Sequence, residues 1–230
     1  MKNVKLLRRI ACAAALMCAS LSSQAGIIYN GNLAGSGAGL GTVNTLLTLN
    51  SNGGTATGAV IRSAGVDLAT GNALSGASQT STFSFADLNI TNANQIRLIF
   101  NANEPGNANN NSISVDALTL SIFSSTGGAA LFSTSLGAPQ LFSSTANGIG
   151  SIGFLFELDA ATALAAQSFV SATNRIGLSS QLSLAQGGLD TFFISQIGVT
   201  PPASGNVPEP ASMLLIGLGL LGLRAARRKA

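Results

Sequence analysis

Histidine is absent from this 230-residue chain, and its two cysteines, Cys12 and Cys18, both fall within the first 25 residues. Beyond them no Ser–His, Cys–His or His-based zinc arrangement can be assembled. Acid–base chemistry would fall to carboxylates alone. The closest pair in sequence is Glu157 and Asp159, which share a face if one strand runs through both. A glycosidase needs two acids opposed across a cleft. Here Glu157 reads as a solvent-facing strand residue between Phe156 and Leu158, and Asp159 as the cap of a following helix. No catalytic residue is assigned, and the expectation is a protein that is not an enzyme.

Oxygen donors offer a second chemistry. Asn101, Asn103, Glu104 and Asn107 lie in an Asn- and Gly-rich loop over 101–111, with Asp116 beyond it. Calcium takes about six to eight oxygens in flexible geometry, so these five residues are the candidates for a weak calcium site. The loop has one carboxylate and lacks the spacing of a known calcium loop, and a plain hairpin tip accounts for its composition. No cofactor is assigned beyond that candidate ion. Glycan binding is the alternative activity. It is weakened by the lack of Trp and by a single Tyr, because sugar platforms need aromatic faces with a polar handle. The eleven Phe residues alternate with polar ones and read as core.

Strands must position these groups. Segments 45–49, 80–85, 95–100, 113–123, 151–156, 175–184 and 190–197 alternate apolar and polar residues between Gly- and Asn-rich turns. Roughly ten short strands at this spacing predict an all-β protein, a single antiparallel β-sandwich or jelly-roll over 26–200. One helix is expected over 160–171, capped by Asp159 and packed on a sheet edge. Phe123, Phe132 and Phe142 each precede a serine and suggest successive strands of a meander.

The two ends differ from this body. Lys2, Lys5, Arg8 and Arg9, then an apolar stretch over 10–21, then Ser23 and Ala25 at −3 and −1, read as a signal peptide over 1–25 cleaved before Gly26. An exposed linker over 201–206 leads to Val207-Pro208-Glu209-Pro210, an apolar run over 211–223, and the basic residues Arg224, Arg227, Arg228 and Lys229. As a helix the 13-residue run reaches about 20 Å, against about 30 Å of hydrocarbon, so it suits a pause in the membrane better than permanent residence. The basic cluster would stay on the cytoplasmic side. The ends hold eight of the eleven Lys and Arg residues. The body keeps Arg62, Arg97 and Arg175 against seven acids, a net charge of −4, which gives no footprint for nucleic acid.

The order of motif, apolar run with Gly217, Gly219 and Gly222, and basic tail over 207–230 resembles a PEP-CTERM sorting domain. The resemblance implies recognition by an exosortase-type membrane transpeptidase after passage through the secretion translocon. Cleavage near Pro208-Glu209-Pro210 would follow transient anchoring in the inner membrane. It further implies a surface or matrix component of a Gram-negative bacterium that makes exopolysaccharide, with that polymer as a further partner. An ordinary membrane anchor is the alternative for the same segment.

Overall fold

The computed structural model describes residues 26–34, 44–51, 53–104, 112–143 and 152–195. Twelve strands run in chain order among them: β1 (Ile27–Ala34), β2 (Asn44–Asn50), β3 (Gly54–Ser63), β4 (Val66–Gly71), β5 (Phe83–Ser84), β6 (Arg97–Asn101), β7 (Ser112–Phe123), β8 (Phe132–Ser135), β9 (Gln140–Ser143), β10 (Ile152–Leu158), β11 (Arg175–Ala185) and β12 (Leu189–Ser195). They form two antiparallel sheets. One has the order β1-β10-β6-β12-β2 and the other β4-β3-β11-β7-β8, with β5 on β11 and β9 on β7. Six of the eleven connections between these strands cross from one sheet to the other. The fold is therefore the expected all-β sandwich with one short helix.

Both sheets contribute to one core. Leu98, Phe100, Phe192, Ile194, Phe154 and Phe156 from the first meet Val60, Val115, Leu118, Leu120, Ile122, Leu178 and Leu182 from the second. Alternation explains the selection, since every second residue of a strand points inward. Phe100 stacks on Phe192 at 4.6 Å and Phe142 on Phe154 at 4.0 Å between ring centroids. None of the eleven Phe residues is exposed, in keeping with their reading as core.

Several local expectations change. Of segment 80–85 only Phe83–Ser84 pairs as strand, because its other polar groups bond to single residues of β4 and β2 without forming a ladder. Thr82 donates from its backbone N–H to Asp67, and Thr80 Oγ1 accepts from Thr48. Strand β6 starts at Arg97 because a single 3₁₀ turn occupies Ala93–Gln95, closed by Asn92 and Gln95 in a capping box. The anticipated meander is a different arrangement: β8 pairs with the second half of β7 and β9 with its first half. Leu136, Gly137, Ala138 and Pro139 separate these two pieces of one edge. Strands β1, β3 and β4 were not anticipated. Their Gly, Ala and Thr content hides the alternation, although β3 and β4 form a hairpin whose Gly65 takes φ 77°.

The helix α1 (Ala160–Ala166) starts where expected, with Asp159 Oδ1 accepting from Thr162 N at 2.7 Å. It gives way to a 3₁₀ turn at Gln167–Phe169, short of residue 171. Ala163 and Ala166 enter the core, and the helix packs against the Ala93–Gln95 turn, so its chief neighbour is not a sheet edge. No helix among the described residues is long and apolar enough to cross a membrane.

Candidate functional site

The two acids nearest in sequence do not act together. Strand β10 ends at Leu158, so Asp159 leaves the strand and caps α1. Glu157 is not free in solvent: it lies opposite Arg97 in the β10–β6 register and binds Arg97 Nε at 2.6 Å. The outer face of the sheet at this point is an ion pair, and neither acid faces a cleft with the other.

The five calcium candidates also separate. Asp116 lies on β7 in the second sheet, where Ser114 Oγ donates to Oδ1 at 2.6 Å. Asn107 lies outside the described residues. Asn101 ends β6 and is buried, Asn103 follows it, and Glu104 is 1% exposed. The structure instead brings Glu104 to Asp190, a residue the sequence reading did not single out. Asp190 is 0% exposed and stands at the start of β12, on the same face as Phe192 and Ile194. A carboxylate on core-facing parity two residues after Gly187-Gly188 was the available signal.

Main-chain donors fix both acids. Asn103 N donates to Asp190 Oδ1 at 3.0 Å, and Gln186 N donates to Glu104 Oε2 at 2.8 Å. Gly188 N closes the same turn on Asn103 O at 2.8 Å. Only glycine allows this approach. A Cβ at Gly187 would lie 1.7 Å from Asn103 O, and one at Gly188 would lie 2.4 Å from Asn103 Nδ2. The other two oxygens, Glu104 Oε1 and Asp190 Oδ2, are buried without a hydrogen-bond partner. Burial pushes the Asp190 carboxyl up to about 7 against the pull of the Asn103 N–H, and the Glu104 charge pushes it the same way. Burial likewise raises Glu104, against the amides of Gln186 and Gly187. An open depression of about 480 Å³, lined by Ser51, Gly53, Gly54, Ala185, Gln186 and Gly187, adjoins this loop. No three His, Cys, Asp or Glu side chains gather among the described residues.

Tyr29 is the single aromatic with a polar end, and its ring packs edge-on against Phe142 at 5.1 Å and beside Phe156 at 5.7 Å. Gly26, the expected first residue after signal cleavage, sits just before β1, where its carbonyl accepts from Asp159 N at 3.1 Å. Ser23 and Ala25 lie outside the described residues, as do the linker over 201–206, Val207-Pro208-Glu209-Pro210 and the basic residues Arg224, Arg227, Arg228 and Lys229.

No curated protein matches the chain. Among solved structures, a chain of the cryo-EM atomic structure of Broad Bean Stain Virus (BBSV) is similar over 68% of this chain and 86% of its own, at 11% identity and a TM-score of 0.25. A likeness that low carries no argument about fold or function. A family model described as the PEP-CTERM protein-sorting motif matches residues 206–229. The chain thus carries a PEP-CTERM sorting segment, the mark of an exported protein directed to exosortase, a membrane enzyme, and anchored at the membrane before processing.

Proposed function

We propose that this chain is a non-enzymatic surface or extracellular-matrix protein, made as a precursor and released from its membrane anchor by an exosortase-type transpeptidase. Its β-sandwich then serves a structural or adhesive role in exopolysaccharide or biofilm. The sorting motif at 206–229 carries this reading. Support for a non-enzymatic body comes from the absence of histidine throughout the chain and from the engagement of Glu157 with Arg97 and of Asp159 with α1.

Intact mass of the protein from its native host, taken separately from cell envelope and culture medium, tests the proposal. Loss of 1–25 together with a C-terminus near Pro210 is the expected result. A product in both fractions that retains 211–230 would identify a resident anchor and overturn the processing step. For the matrix role, a strain lacking the protein is expected to form biofilm of lower cohesion. Unchanged cohesion would leave sorting without that role.

A further inference from the structure

Glu104 and Asp190 divide their oxygens in the same way. One oxygen of each is held by a loop N–H, Gln186 N on Glu104 Oε2 and Asn103 N on Asp190 Oδ1. The second oxygen of each, Glu104 Oε1 and Asp190 Oδ2, is buried with no hydrogen-bond partner, in residues 1% and 0% exposed. Buried polar atoms are nearly always satisfied, and two such oxygens on two interacting acids call for a shared partner. Among the described residues no arginine or lysine supplies a counter-charge. The three arginines of the body are all committed, Arg62 to Asp67, Arg97 to Glu157 and Arg175 to Asp87. One proton shared between the carboxyls would leave a net negative charge in a buried place. A divalent cation would neutralise both and take both unpartnered oxygens.

The surroundings are built for this arrangement. Gly187 lets the β11–β12 loop close on the Asn103 backbone, a contact that any side chain there would block, while a side chain at Gly188 would displace only the Asn103 amide group. Both acids belong to the first sheet, Glu104 just after β6 and Asp190 at the start of β12, so an ion bound between them would join these two adjacent strand ends beside the β11–β12 turn. We propose that Glu104 and Asp190 are the anionic ligands of a calcium site that pins the start of β12, just after the β11–β12 loop, to the segment following β6. The donors are hard oxygens, which favours calcium, magnesium or manganese over zinc and copper. Calcium is preferred to magnesium here because it accepts an irregular set of about six to eight oxygens, whereas magnesium demands a near-ideal octahedron. This site is independent of the sorting segment and of the role proposed for the sandwich.

The test uses the full-length chain in detergent, stripped with chelator at pH 8 and followed by far-UV circular dichroism during heating. Calcium chloride is expected to raise the melting temperature by several degrees, with half-effect at about 0.1–1 mM, the range of extracellular modules. Equimolar magnesium should give less than half that shift. Asp190→Asn and Glu104→Gln should each abolish the response and, in chelator, melt at or above the wild-type temperature, since each removes a buried charge. That second reading separates loss of a site from loss of the fold. The proposal is overturned by a calcium shift retained in both variants, by an equal response to magnesium, or by no response in the wild type. No response with a melting temperature that climbs as pH drops would identify a proton-sharing pair in its place.

Discussion

Asp67, on β4, and Asp190, on β12, sit near opposite ends of β11, and their carboxyls are driven in opposite directions. Asp67 is reached by Arg62 Nη1 at 2.8 Å, Ser81 Oγ at 2.9 Å, Thr82 N at 3.0 Å and Thr82 Oγ1 at 2.5 Å. Arg175 Nε supports this set by donating to Thr82 Oγ1 at 2.8 Å. Burial pushes Asp67 up, but the bonds from Thr82, Arg62 and Ser81 together outweigh it and hold the carboxyl below its usual range. Asp190 has one such donor, a like charge beside it and no arginine. Burial alone does not decide the state of these acids. The number of donors aimed at each carboxylate does, and only the Glu104–Asp190 end is left requiring something from outside.

The largest expected effect comes from closing the gap that glycine leaves. Gly187→Ala forces a methyl to within 1.7 Å of the Asn103 carbonyl oxygen and should cost about 2–3 kcal/mol. In thermal melts that is a drop on the order of 5–10 °C, with loss of any calcium response. Gly65→Ala, at φ 77° in open space, should cost only about 1 kcal/mol and leave the calcium response intact. Equal costs would mean that the loop is not held against Asn103 as described.

Amide replacements should have opposite signs at the two ends. Asp67→Asn weakens charge-assisted bonds and should destabilise by about 1–2 kcal/mol, a figure lowered for partial exposure. Asp190→Asn, measured in chelator at pH 8, should stabilise by about 1 kcal/mol or more, because it deletes an uncompensated buried charge. Denaturant midpoints at constant slope would read both. A loss at Asp190 would mean that its charge is compensated after all.

Acidity should separate the same two sites. Asp67 and Asp87 have lowered values when folded, so their stabilisation is present above the ordinary 3.8 and is lost as pH falls through their folded values. Asp190 is raised to about 7, so in chelator its contribution is present below 3.8 and is lost as pH rises through 7. Metal-free protein should therefore be most stable in mild acid. Calcium should flatten only the alkaline limb, and Asp67→Asn should soften only the acid one.

The sandwich was legible because its longest strands, β7 and β11, alternate over more than ten residues and carry much of the core. Helix α1 was legible from Asp159 and an alanine-rich run. Apart from strands β1, β3 and β4, whose small residues mask their alternation, what stayed hidden had a common cause: partners far apart in sequence. Ser81 and Thr82 look like strand residues until Asp67, on the β3–β4 hairpin, takes their donors. Asp116 looks like a neighbour of Glu104 until β7 carries it into the other sheet, while Asp190 arrives from 86 positions away along the first. Composition marked the 101–111 region as oxygen-rich, but it could not supply the second carboxylate.

The smallest effect belongs to the acid that sequence proximity made most conspicuous. Glu157 and Arg97 form a cross-strand pair at 2.6 Å whose side chains are 16% and 19% exposed. Partly solvated pairs contribute little, because screening and side-chain ordering offset the attraction. Glu157→Gln should therefore cost only about 0.5 kcal/mol, retain a hydrogen bond to Arg97, and leave the calcium midpoint where it was. A shift of that midpoint would mean that the outer face of the first sheet communicates with the Glu104–Asp190 end. No change would confine the sensitivity of this protein to the one carboxyl pair that its own donors do not satisfy.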